Sequence, residues 1–240
     1  GVGKTELAKS LSQVYFGGEG NIIRLDMSEY QTTEDVHRFL STATNEQAGS
    51  QLFEQITTRP FTVVLFDEIE KANPSILDLL LQLLDEGQLT DDSGKKISFK
   101  EAIVICTSNA GADEIRSRIG AGQELDQFEP QFIDSIINQH LFKPELLNRF
   151  DEIVLFRPLN KAELLKVAYL LIQGVNKELV SQKITIQLTE AAYQYLVETG
   201  YDPRLGARPM RRAVQRLVEN TVAQRILSGA LSVSYTHLRA

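Results

Sequence analysis

Apolar and polar positions along the chain follow two alternating rhythms. Thr5 to Phe16 carries Leu7, Leu11 and Val14 at helical spacing, which predicts a helix beginning where a glycine-rich turn ends. Asn21-Ile-Ile-Arg-Leu-Asp26 reads as a short apolar strand. Phe61-Thr-Val-Val-Leu-Phe66 is continuous and β-branched, the pattern of a strand buried on both faces of a parallel sheet. Asn73 and Pro74 supply an N-cap and a proline at the first helical position, and Gly87 closes that helix. Ala102-Ile-Val-Ile-Cys-Thr107 and Glu152-Ile-Val-Leu-Phe156 predict two further buried strands. Strands interleaved with helices predict an α/β layered domain with a mostly parallel sheet.

Arg157-Pro-Leu-Asn160 breaks the rhythm. Beyond it the chain reads as mainly helical: Lys161 to Ser181, a strand-like Ile184-Thr-Ile-Gln-Leu188, Thr189 to Glu198, and a last helix from Ala207 to Leu227. The pattern therefore predicts a large domain over residues 1–157 and a smaller, mainly helical one over 158–231. Ser232 to Ala240 has no helical period and comes after a Ser-Gly break, so it is set apart as an unassigned tail, a scar of cloning or sequence assembly.

Composition narrows the picture. Lys+Arg 25 against Asp+Glu 32 leaves a net charge of −7, which disfavours a broad basic face for nucleic acid. The single cysteine, Cys106, can form neither an internal disulfide nor a multi-thiolate zinc site, which fits a reducing, cytoplasmic setting. No apolar run approaches the ~20 residues of a membrane span.

The chemistry begins at Gly1-Val2-Gly3-Lys4-Thr5. These residues match the last positions of a phosphate loop, G-x-x-x-x-G-K-[ST], so the loop's first glycine and a leading strand are expected upstream of Gly1. Lys4 would bridge the β- and γ-phosphates of a nucleotide, and Thr5 would coordinate Mg²⁺ through its hydroxyl. A bare G-K-T is common, and alone it decides nothing. Val63-Val-Leu-Phe-Asp67-Glu68 adds an apolar strand ending in two acids, and parallel sheets place ligands at the carboxyl ends of their strands. Asp67 would face the Mg²⁺ and Glu68 an attacking water. Thr107-Ser-Asn109 comes after the next strand and would bring an amide, Asn109, alongside Glu68. Singly, these are a solvated strand end and a turn. Together they point to a nucleotide site. His37, His140 and His237 are scattered and suggest no further metal site.

Gly1–Thr5, Leu25-Asp-Met-Ser-Glu-Tyr30, Leu65-Phe-Asp-Glu-Ile-Glu-Lys-Ala72 and Gly87-Gln-Leu-Thr-Asp91 resemble the second ATPase module of Clp-type AAA+ unfoldases. So do Thr107-Ser-Asn109, Lys143-Pro-Glu-Leu-Leu-Asn-Arg-Phe-Asp151 and Gly200-Tyr-Asp-Pro-Arg-Leu-Gly-Ala-Arg-Pro209. The resemblance covers about residues 1–231. It implies a P-loop AAA+ domain followed by a small helical lid, ATP hydrolysis in a ring, usually a hexamer, and protein clients. By position, Lys4 and Thr5 match the phosphate loop, Asp67 the Mg²⁺ acid, Glu68 the catalytic base and Asn109 the polar sensor. Arg149 matches the arginine finger reaching a neighbouring subunit's nucleotide, and Arg208 the lid arginine that senses the γ-phosphate.

Two departures qualify it. Leu40 to Ser50 stands where the family carries a pore loop with an aromatic grip, and it has no aromatic; Phe39 and Phe53, at its ends, read as core anchors. Ile119-Gly-Ala121 carries Ala where peptidase-partnered members carry an aromatic, which disfavours docking to a Clp peptidase. Two other classes remain open: an AAA+ motor on nucleic acid, and a non-threading scaffold that uses ATP only to assemble.

Overall fold

The computed structural model describes residues 3–18, 20–41, 48–202, 208–228 and 236–239, with the backbone alone for 48–51, 208 and 236–239. The chain divides into two compact units, one ending at Arg157 and the other beginning at Pro158.

The first unit opens with α1 (Lys4–Phe16), which runs from Gly3 in a left-handed conformation. Next come β1 (Ile22–Asp26), α2 (Thr33–Leu40), α3 (Ala48–Thr58) and β2 (Val63–Asp67). After these stand α4 (Pro74–Glu86), the hairpin β3 (Gln88–Thr90) and β4 (Lys96–Ser98), and β5 (Ile103–Cys106). Helices α5 (Ala112–Gly120), α6 (Leu125–Asn138) and α7 (Pro144–Leu147) complete it. Strands β1, β2 and β5 form a parallel sheet in that order, with Ile22 opposite Val63 and Val63 opposite Ile103. Parallel neighbours need long crossovers, and the intervening helices supply them.

Alternation across the strands divides the sheet into two faces. Ile23, Leu25, Val64 and Phe66 join the main core with Phe39, Leu52, Phe53, Ile56, Ile76 and Leu80. Phe39 and Phe53 are both buried, as core anchors should be. On the other face Ile22, Val63, Leu65, Ile103 and Ile105 pack against Ala8 and Phe16 of α1.

Four expectations change. The helix at Thr5–Phe16 forms, but it buries Ala8 and Ser12, while Val14 is 76% exposed. Small side chains let α1 lie close on the sheet, and the Ser12 hydroxyl donates to the carbonyl of Gly18 (2.6 Å). Phe61 lies outside β2 and is exposed. Strand β5 forms but is only half-buried. Glu152–Phe156 forms no strand: a strand exists only within a ladder, the described sheet ends at β5, and this segment does not add to it.

The second unit consists of α8 (Lys161–Leu179), β6 (Ile184–Gln187), α9 (Glu190–Gly200), α10 (Arg208–Val214), α11 (Asn220–Leu227) and β7 (Thr236–Arg239). Asn160 and Glu163 close a reciprocal capping box (2.9 Å each way), which fixes where α8 starts. Leu164, Ala168 and Ile172 pack on Tyr193, Leu196, Val197 and Met210. Asn176 on α8 brackets Ile186, donating to its carbonyl (3.0 Å) and accepting from its N–H (2.7 Å), so a side-chain amide acts as a strand neighbour for β6. β7, within the stretch set apart as a tail, pairs in parallel with β6.

Gly200 and Gly174 make opposite predictions. A Cβ on Gly200 would stand 2.6 Å from the Met210 Cα, a backbone atom that cannot swing aside, whereas one on Gly174 would meet nothing within 4 Å. Gly200→Ala should lower stability by about 1–3 kcal/mol. Gly174→Ala, inside α8, should raise it by roughly 0.5–1 kcal/mol. Urea unfolding of the two variants beside wild type checks both signs.

Candidate active site

Asp67 ends β2, and Thr107-Ser-Asn109 comes directly after β5. Because β2 and β5 are adjacent and parallel, their carboxyl ends bring these groups side by side. The amino end of α1 sits beside them: Lys4 Nζ donates to the Ser108 carbonyl (2.5 Å) and to Asn109 Oδ1 (2.7 Å). A helix amino terminus favours anions, and Lys4 adds a full charge at the same point.

Asp67 is 8% exposed. Burial is the largest single influence on its carboxyl and opposes ionisation. It is outweighed by hydrogen bonds from Thr107 and Arg24 and by the charges of Arg24 and Lys4, which together hold the carboxyl below its ordinary value. The Thr107 hydroxyl donates to Oδ1, and Arg24 Nη2 pairs with Oδ2 at 2.5 Å.

Glu68 lies in the left-handed region (φ 59°), where a residue with a side chain is held at a cost of about 1–3 kcal/mol. Its surroundings enforce it. Glu68 N–H donates to the Thr107 hydroxyl (3.2 Å), Ile69 N–H to the Thr107 carbonyl (3.0 Å), and Asn109 N–H to Glu70 Oε1 (3.1 Å). The two turns are stitched together, and Asn109 Nδ2 lies 3.5 Å from Glu68 Oε1.

These contacts gather Lys4, Asp67, Glu68 and Asn109 at one place, with Thr5 the next residue after Lys4 on the same first turn. A family model described as "AAA domain (Cdc48 subfamily)" matches residues 1–153. The chain belongs to this AAA family. A second model, "C-terminal, D2-small domain, of ClpB protein", matches residues 159–239. This AAA chain is 46% identical over 242 residues to the "ATP-dependent Clp protease ATP-binding subunit ClpA homolog" of Pyropia yezoensis, an alignment covering 96% of the chain and 30% of that protein. It is 41% identical to the "Chaperone protein ClpB" of Meiothermus ruber (97% of the chain, 27% of that protein). It is also 41% identical to the "Chaperone protein ClpC1, chloroplastic" of Arabidopsis thaliana (95% and 26%). The chain thus spans less than a third of the length of these relatives.

Of the other sequence candidates, Gly3 directly precedes Lys4 as the left-handed N-cap of α1. Arg149 stands just beyond α7 and pairs with Asp85, near the last turn of α4 and roughly 16 Å of helix from the end nearer Asp67 in sequence. Arg208 begins α10 in the second unit, and its side chain lies outside the described atoms, as do Gly1 and Val2. Sequence reasoning missed three groups: Arg24, the Thr107 hydroxyl and Glu70. Arg24 did carry a signal, a lone cation between the apolar Ile22, Ile23 and Leu25 of β1.

The lowered carboxyl of Asp67 carries a pH prediction. A group held below its unfolded value stabilises the fold above about pH 4, and that stability is lost as pH falls through the folded value. Between about pH 4 and pH 2 the unfolding midpoint of wild type should therefore fall more steeply than that of Asp67→Asn. Parallel acid profiles in thermal melts that coincide would remove Asp67 from the acid response.

Proposed function

We propose that this AAA chain is an ATP-hydrolysing module of a Clp-type assembly that remodels proteins. The observation that supports it most is the convergence of Lys4, Asp67, Glu68 and Asn109 where the carboxyl ends of β2 and β5 meet the start of α1. Lys4 and the amino end of α1 suit phosphate oxygens. Thr5 and Asp67 offer the hard oxygen donors that Mg²⁺ takes, and would hold it. When bound, Mg²⁺ supplies charge neutralisation across the phosphate oxygens. Glu68, aimed by its stitched turn, accepts the proton of the attacking water. Asn109 ties that base to the phosphate lysine through its two amide atoms.

Protein clients, rather than nucleic acid, are the reading supported by the relatives named as chaperones and as Clp protease subunits, and the net charge of −7 agrees. Assembly into a ring, taken as a hexamer in the cytoplasm, would give Arg149 a neighbour's nucleotide to serve and leave Arg208 to sense the γ-phosphate within its own subunit. Docking to a peptidase is disfavoured, since α5 runs through Gly120, Ala121 replaces an aromatic, and α6 begins soon after at Leu125.

In the assembled protein, Glu68→Gln should bind ATP and stay assembled while nearly abolishing turnover, because an amide fills the site without accepting a proton. Arg149→Ala should lower kcat by roughly 10³-fold, the scale of an arginine finger, with little change in nucleotide affinity. Mixing the two variants should restore part of the activity, measured as phosphate release. Wild-type turnover by Glu68→Gln would refute the proposal, and a mixture without activity would remove the action of Arg149 across subunits.

Grip on clients is a separate matter. Phe39 and Phe53 are buried, and the sequence between them holds no aromatic, so neither flank offers a rigid ring to a passing chain. Residues 42–47 lie outside the described residues. A ring built on this module alone should hydrolyse ATP yet unfold a tagged fluorescent protein slowly, and Ala48→Tyr should speed it. Rapid unfolding by the unmodified ring would count against this weak pull.

A further inference from the structure

We propose that Arg24 is a resident counter-ion of Asp67, a positioning residue that competes with Mg²⁺ for the carboxylate and so sets how much metal the site requires. The proposal rests on the nucleotide-site reading above. Arg24 shares a sheet face with Asp26 on its own strand and with Leu65 and Asp67 on β2; it stands in register with Leu65, and Asp26 with Asp67. Two carboxylates opposite each other on one face repel. Asp26 is committed locally, its Oδ1 accepting both the N–H (3.0 Å) and the hydroxyl (2.6 Å) of Ser28. The guanidinium of Arg24 reaches diagonally to Asp67 instead.

The two partners of Asp67 differ in how readily they can be exchanged. Thr107 is buried, and its hydroxyl also accepts the N–H of Glu68, so it cannot leave Oδ1 without undoing the turn. Arg24 is half exposed (side chain 53%) on a long stem, and it can swing to water. A cation approaching Asp67 finds Oδ1 fixed and Oδ2 held by an exchangeable charge. By linkage, an interaction that a metal ion must displace weakens the binding of that ion by the same factor.

The experiment uses purified protein, a fluorescent ADP analogue, and Mg²⁺ titration, with thermal melts in EDTA and in saturating Mg²⁺ and ADP. Arg24→Ala should melt about 2–4 °C below wild type in EDTA, on the scale of one partly exposed ion pair, and close to wild type with Mg²⁺ and ADP. The Mg²⁺ concentration that half-saturates analogue binding should fall roughly two- to tenfold. Arg24→Lys should lie between. An equal fall in melting temperature under both conditions would reduce Arg24 to a structural role, and an unchanged or higher Mg²⁺ requirement would overturn the proposal. Failure of wild type to bind the analogue at all would overturn the nucleotide-site reading, and this proposal with it.

Discussion

A carboxylate at the end of a buried strand must be compensated, and much of the first unit's arrangement depends on how Asp67 is. Strand β2 is buried on both faces, so its last side chain leaves the sheet with little access to water. An uncompensated charge there would be costly. Thr107 from the end of β5, Arg24 from β1 and Lys4 from α1 each supply part of the compensation, and each arrives from a different element. The parallel register across three strands is therefore an electrostatic requirement as well as a packing one. A slip of one residue would turn Arg24 and Thr107 to the opposite face of the sheet.

The same contacts hold the turn after β2. Glu68 adopts a left-handed backbone without being glycine, and the hydrogen bonds from Glu68, Ile69 and Asn109 to Thr107 and Glu70 offset that strain. Strain held by a network of fixed partners keeps a side chain aimed, which is what proton transfer needs. Thr107 sits in both networks, accepting from the Glu68 N–H and donating to Asp67. Charge compensation and orientation of Glu68 are thus one structure.

Local rules carried well wherever local physics decides. Asn73 caps α4 through a hydrogen bond to Ser75 N–H (3.0 Å), Pro74 starts it and Gly87 ends it in a left-handed conformation, as the spacing predicts. The apolar strand ending in Asp67-Glu68 was legible for the same reason. Glu152–Phe156 was not, because its composition suits a strand but a strand needs a partner, and pairing is a property of the whole sheet. The packing face of α1 was misread because Ala8 and Ser12 are small and look neutral in a hydrophobic pattern, while Val14 looks buried and is not. Arg24 was overlooked because its partner lies 43 positions away, across a register that only the folded sheet defines.

Arg149 raises the one apparent conflict between the structure and the proposed mechanism. A residue proposed to serve a neighbouring subunit is tied to Asp85 of its own chain. Magnitudes resolve it. Both partners are more than a third exposed, and an ion pair so placed contributes about 0.2–1 kcal/mol. A finger worth roughly 10³ in rate corresponds to about 4 kcal/mol of transition-state stabilisation. Releasing the pair consumes at most about a quarter of that gain. The pairing with Asp85 is thus too weak to withhold Arg149 from the neighbouring phosphate that the proposal assigns to it.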